Sequence, residues 1–249
     1  MGQLAIIGGS GFAAMPELEI VETRQTTTRW GDPSAPLVHG RLAGQDVLFL
    51  PRHGQGHRIP PHRVNYRANI QALSDAGVER IIGLAAVGGI TADCVPLALC
   101  IPDNLIDYTH GRGSTFYDEA GGEVVHVDFS WPFSAGLRRL LLRAAGDTGI
   151  EVLDGGVYAA TQGPRLETAA EISRLERDGC DIVGMTAMPE AALARERGIA
   201  YATLAFVVNW AAGKSDSEIG MEEINANLGR CAQTVIRLLQ RAVVLPADD

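Results

Sequence analysis

The alternation of apolar and polar positions divides the chain into strands and helices that follow one another to its end. Residues 3–7 form a short apolar run. Residues 37–39 and 46–50 are strand-like on either side of a turn at Gly44, and 80–87 is almost continuously apolar, as expected of a strand buried on both faces. Further strands are predicted over 97–107, 151–160, 181–185 and 200–208. Helices take the intervals. Over 64–77, Tyr66, Ile70 and Leu73 share a face and Gly77 supplies the stop. A second helix covers 134–148, a third covers 168–178 with Ala169, Ile172 and Leu175 on one stripe, and a fourth starts at Pro189. The last begins near Met221 and repeats apolar residues at Ile224, Leu228, Cys231, Val235 and Leu238. Residues 112–133 mix polar, glycine and aromatic positions and read as loops with at most a short strand. This order, without repeats or a linker, predicts one α/β domain over 1–249 whose mixed, largely parallel β-sheet is flanked by helices.

Composition narrows the function. A hydrophobic fraction of 46% in 249 residues is enough for a sizeable core. The net charge of -9, with no basic run interleaved with aromatics, argues against nucleic acid as a partner. Neither a signal peptide nor a membrane span is legible, so the expectation is a cytoplasmic protein without a membrane partner. The four cysteines form no CxxC pair, which points to reduced, buried thiols. An acidic chain still holds a small anion where a few cations and backbone amides converge, so Arg and His beside glycine-rich turns matter most.

Several such turns lie just beyond predicted strands. GGSG over 8–11 brings amides and the Ser10 hydroxyl together; its match to a dinucleotide fingerprint from Gly9 to Ala14 lacks the helix and distal acid that reading requires. PRHGQGHRIPPH over 51–62 is the one concentrated cationic stretch. Glycines occupy the interval between His53 and His57 where a helical zinc motif carries a Glu, so Arg52 and His53 suit an anion better than a metal. Gly88 and Gly89, Thr186 and Asn209 each follow an apolar run. TQGPRLET over 161–168 joins a strand to a helix and places Glu167 at the junction, where the simplest role is a first-turn acid facing the helix dipole. Glu190 has the same reading at the start of the fourth helix. His126 and Phe129 suit either a subunit contact or ordinary packing.

The motifs IIGGSG, PRHGQGHRIPPHRVNYRANI, AAVGGI, TQGPRLETAAEI, DIVGMTAMPEAALA and VVN occur in that order over about four-fifths of the chain. Together they resemble the trimeric purine nucleoside phosphorylase and methylthioadenosine phosphorylase family. The resemblance implies a homotrimer with sites near subunit contacts, in which phosphate displaces a purine from C1′ of a ribonucleoside. It implies no metal or organic cofactor; inorganic phosphate is a co-substrate. By the same resemblance Ser10, Arg52, His53, the backbone of Ala86 and Thr186 bind phosphate, and Met185 lies against the ribose. Asn209 is the position that hydrogen-bonds N7 and O6 of the departing purine and counts as catalytic, while Leu166, Glu167, Ala211, Met221 and His126 complete the substrate contacts. Ala85 departs from the methylthioadenosine phosphorylases, which have a phosphate-binding Thr there. A hydrogen bond worth about 0.5–1.5 kcal/mol is missing.

The resemblance also bears on which nucleoside reacts. A 6-oxopurine offers an N1–H donor and an O6 acceptor, which Glu167 and Asn209 complement, whereas adenine presents a bare N1 and an amino group. Methylthioadenosine phosphorylases have Ser in place of Glu167 and Asp in place of both Asn209 and Ala211. Phosphorylases acting on inosine and guanosine bind the 5′-hydroxyl with a His near the start of the last helical segment. Here no histidine follows His126, and Met221 falls where the methylthioadenosine enzymes have an apolar residue. Together these features imply phosphorolysis of S-methyl-5′-thioinosine to hypoxanthine and 5-methylthioribose 1-phosphate. The alternatives are a broader 6-oxopurine nucleoside phosphorylase, a methylthioadenosine phosphorylase, a nucleoside hydrolase and a non-catalytic nucleoside-binding module.

Overall fold

The unbroken apolar run becomes strand β5 (Val78–Gly89), which in the computed structural model, describing residues 2–12 and 14–246, lies at the branching point of the sheet. It pairs in parallel with β1 (Gln3–Gly8) along one edge and with β11 (Ala200–Trp210) along the other. Both faces are covered, which is why neither β1 nor β5 alternates with polar residues. Ala5, Ile7, Ile81 and Ala85 belong to the core under α1 (Tyr66–Asp75) and α4 (Ala187–Glu196). Leu4, Ile6, Ile82 and Leu84 belong to the core under α2 (Ala135–Thr148) and α5 (Met221–Val244). Each fully buried Leu or Ile contributes about 1.5–3 kcal/mol.

Among the described residues the sheet has eleven strands. One path runs β2 (Glu19–Arg24), β3 (Leu37–Leu42), β4 (Gln45–Pro51), β1, β5, β10 (Ile182–Gly184), β9 (Val157–Ala160) and β7 (Asn104–Asp107). The other leaves β5 through β11 to β6 (Leu99–Ile101) and β8 (Leu153–Asp154). The predicted hairpin is β3–β4, turning at Ala43 and Gly44 with φ of 49° and 76°. The branching opens a gap. β1 accompanies β5 only to Gly83, and β10 joins antiparallel at Gly88 and Gly89, while β11 occupies the opposite edge throughout. Among the described residues, 84–87 therefore present one edge to no strand, and the pocket described below forms there.

Where sequence and structure differ, local chemistry accounts for the difference. The strand expected over 151–160 is split because Gly155 and Gly156 take φ near 100°, which ends β8 before β9 begins. Pro102 and Asp103 likewise divide 97–107 into β6 and β7. Strand β2 has no apolar alternation to announce it, since all six residues are exposed at the sheet edge. Residues 112–133 contain no strand. Chain from the GGSG turn runs through bends to β2, with no helix between them among the described residues, unlike a dinucleotide fold; Ala13 lies outside those residues.

Candidate active site

The ends of adjacent parallel strands bring distant residues together. β1 and β4 finish side by side, and the Arg52 amide donates to the Gly8 carbonyl at 2.9 Å, so Ser10 and Arg52 begin neighbouring turns. Across the gap lie the free edge of β5, the loops after β9 and β10, and the end of β11. They enclose a cavity of about 440 Å³, a size suited to a nucleoside-like ligand. Ser10, Arg52, His53, Ala86 and Thr186 line it, as do Met185, Leu166, Glu167, Asn209, Ala211 and Met221. His126 does not. It is exposed on the long loop, away from the cavity.

Arg52 is the most constrained of these side chains. Only 1% exposed, it donates from Nε and Nη2 to both carboxylate oxygens of Glu190, at 2.8 and 2.7 Å, and from Nη1 to the Leu84 carbonyl at 2.7 Å. Three of its five N–H donors are thus committed. Gly9 makes room for this, because a Cβ there would stand 2.5 Å from the Leu84 carbonyl oxygen and 3.0 Å from Nη1. Glu190 is fully buried and also accepts from the Tyr201 hydroxyl at 2.7 Å. Glu190 stands in the first turn of α4 as expected, and it is in addition the counter-ion of Arg52. Burial alone would depress the Arg52 pKa, but the Glu190 charge raises it well above its ordinary value.

His53 has a fixed tautomer. Its Nδ1 meets the Ile59 carbonyl at 2.8 Å, and because a carbonyl only accepts, Nδ1 carries the hydrogen. Burial, reinforced by the Arg52 charge, pushes its pKa down to about 4, so the ring is neutral at pH 7. Thr186 stands at the N-cap of α4 without capping it. The helix proper starts at Pro189, because Met188 has φ -113° and ψ 138°. Its amino end adds a partial positive charge to this side of the cavity.

Glu167 lies outside its helix. Thr168 is the N-cap of α3 (Ala169–Arg177), and the reciprocal capping box uses Glu171, so the first-turn acid is Glu171 rather than Glu167. Glu167 instead accepts from the Thr161 hydroxyl at 2.7 Å through one carboxylate oxygen, and the residue lies in the cavity wall. Asn209 reaches the same cavity through a bulge. Between Val207 and Asn209 the register of β11 against β5 shifts, leaving Val208 as the extra residue. The Asn227 side chain of α5 donates to the Val208 carbonyl at 2.9 Å and supports that distortion. The Asn209 amide donates to the Trp210 carbonyl at 2.7 Å, so its own carbonyl oxygen is left to accept.

Tyr201 and Asn227, and the partners of Glu190 and Thr161, escape a reading of the sequence. Apolar stripes conceal Tyr201 and Asn227, and first-turn position conceals Glu190. Only TQGPRLET, which carries both Thr161 and Glu167, gave a signal.

The pattern of the Phosphorylase superfamily matches residues 3–244. Over 237 residues the chain is 54% identical to the probable S-methyl-5′-thioinosine phosphorylase of Xanthomonas campestris pv. campestris, covering 95% of each protein. It is 41% identical over 250 residues to the 6-oxopurine nucleoside phosphorylase of Pyrococcus furiosus, covering 98% of this chain and 93% of that one. A structure of methylthioadenosine phosphorylase from Schistosoma mansoni in complex with adenine superposes with a TM-score of 0.94 at 34% identity, covering 98% of this chain and 91% of that one. With a cavity built at the sheet's branching point and matches along nearly its full length, the chain belongs to the Phosphorylase superfamily.

Proposed function

We propose that this protein is a pentosyltransferase that cleaves S-methyl-5′-thioinosine with phosphate, releasing hypoxanthine and 5-methylthioribose 1-phosphate. The observation that carries the reading is the placement of Glu167 and Asn209 on one cavity whose other lining includes Ile219, Met221 and Ile224. Phosphate sits against Ser10, Arg52, His53, the Ala86 backbone and Thr186. Leu84 directs its carbonyl to the open edge of β5, and alternation along the strand puts the Ala86 amide on that edge too. The nucleoside lies over it, with Met185 under the sugar and the base between Glu167 and Asn209.

In the reaction a phosphate oxygen forms a bond to C1′ as the C1′–N9 bond breaks, and the bonding pair leaves with the purine. The ribose passes through an oxocarbenium-like state, which the phosphate dianion beneath it stabilises. The purine gains negative charge and takes a proton at N7 from solvent, balanced by the proton that hydrogen phosphate gives up as it becomes the ester dianion. The Asn209 carbonyl accepts from that N7–H and its amide donates to O6, interactions that strengthen as charge builds. Glu167 accepts from N1–H of a 6-oxopurine and would face a lone pair on adenine. A site built around a substrate N–H rejects an analogue lacking it by about 10⁴-fold or more.

Apolar residues at the sugar end favour a methylthio group over a hydroxyl. The names of relatives support both ends of this reading, since 6-oxopurine and methylthioinosine specificities recur among them. A homotrimer is part of the proposal. The loop over 112–133 exposes Tyr117, Val124, Val127 and Trp131 beside His126, a surface suited to a neighbouring copy. The test is phosphate-dependent turnover of methylthioinosine, with inosine and methylthioadenosine as competitors; cleavage in phosphate-free buffer would point to a hydrolase instead.

A further inference from the structure

We propose that Arg112 is a positioning residue for base selection, acting as a clamp between the loop that delivers Glu167 and the loop that delivers Met185 and Thr186. The inference rests on the reading of Glu167 as the group that recognises the purine.

Arg112 comes from outside the cavity, on the loop that follows β7, between Gly111 and Gly113. Its guanidinium is spent chiefly on the two loops, with one longer contact from Nη1 to the Tyr66 hydroxyl at 3.3 Å. Nη1 donates to the carbonyls of Met185 and Met188 at 2.8 and 2.7 Å. Nη2 donates to the carbonyls of Thr161 and Gln162 at 3.1 and 2.9 Å, and Nε donates to the Gln162 side chain at 3.2 Å. These contacts account for all five N–H donors, so the group is a fastener and has no donor to offer a ligand. A planar fork spans two loops in a way that the point charge of a lysine cannot.

At each end the clamp holds the immediate partner of a site residue. Thr161, held through its carbonyl by Arg112, donates its hydroxyl to Glu167 at 2.7 Å. Met185, held through its carbonyl, precedes Thr186. The two loops also touch at Gly163, where a Cβ would lie 2.3 Å from the Met185 sulfur at a φ of 57°. Arg112 and Gly163 thus both bear on the separation between the base end and the sugar end of the site. A carboxylate misplaced by about 1 Å loses much of its catalytic value, so loosening the clamp should show first in base discrimination.

The test compares wild type with Arg112→Lys and Arg112→Met in thermal unfolding and in kcat/KM, per folded enzyme, for methylthioinosine and methylthioadenosine. The expected result is a ratio of the two that falls about 10-fold or more in both variants. Thr161→Val, which leaves the clamp in place and removes only the hydroxyl facing Glu167, is expected to lower the same ratio. If both Arg112 variants fold and their ratio stays within about twofold of wild type while unfolding temperature drops, Arg112 is merely structural and the inference is overturned. If neither folds, Gln162→Met, which removes the side-chain partner of Arg112 Nε and so loosens the clamp itself, decides, and an unchanged ratio there overturns the inference. A wild type without 6-oxopurine preference rejects the reading of Glu167 itself, a different outcome from a wild-type preference that the variants retain.

Discussion

Arg52 and Glu190 form a two-point ion pair inside the protein, with side chains 1% and 0% exposed and a shortest separation of 2.7 Å. The pair joins the turn after β4 to the first turn of α4, across the open edge of β5. Its size distinguishes two roles for Glu190. An acid acting only on a helix dipole contributes about 0.3–1 kcal/mol, whereas removing one partner of a buried pair costs about 3–5 kcal/mol.

Glu190→Gln should therefore destabilise the protein by about 3–5 kcal/mol, since an uncompensated guanidinium is left buried. In a domain of this size each kcal/mol moves Tm by about 2–4 °C, so a fall of about 6–20 °C is expected. Thermal unfolding of the purified variant checks this. A fall of less than about 4 °C would return Glu190 to the dipole role.

Glu167→Ser should relax base selection. The substitution removes a charged acceptor from the base end of the cavity and keeps a small hydroxyl. The ratio of kcat/KM for methylthioinosine to that for methylthioadenosine should fall about 10- to 100-fold, the equivalent of one hydrogen bond to a charged group. Steady-state assays on both nucleosides measure it. Unchanged selectivity would mean that Glu167 does not read the base.

How much of this was legible differs by element. The strands of the sheet centre and the amphipathic helices were visible because hydrophobic periodicity is set by burial, and β5 is buried on both faces. Edge strand β2 was not, because an exposed strand has no apolar face to reveal it. Site residues in glycine-rich turns could be picked out as Ser10, Arg52, His53 and Glu167. Their order around one cavity could not, since it depends on how strands far apart in sequence end together. The roles of Glu190 and Asn227 depend on partners 138 and 19 residues away, at Arg52 and Val208. Arg112 fits the rule that cations beside glycine turns matter, yet its function lies in contacts to carbonyls, which carry no sequence signal.

His53 should make stability pH-dependent on the acid side. Its folded-state pKa of about 4 lies below the unfolded value near 6.5, so the unfolded chain takes up the proton first. The associated destabilisation is absent above pH 6.5, grows as pH falls towards 4 and is complete below that. Between these limits Tm should fall less steeply in His53→Asn than in wild type. Saturating phosphate should also flatten the wild-type slope, because a bound phosphate anion favours the charged ring. Equal slopes in variant and wild type would contradict the neutral-ring assignment.

The central claim is that one cavity reads a 6-oxopurine at Glu167 and Asn209 and a methylthio group at its apolar end near Met221. It is tested most directly by kcat/KM for methylthioinosine, inosine and methylthioadenosine under saturating phosphate. Methylthioinosine should exceed inosine by about 10- to 200-fold, the discrimination an apolar pocket gives for a small group, and methylthioadenosine by about 10⁴-fold. A preference for methylthioadenosine, or equal use of inosine, would contradict it.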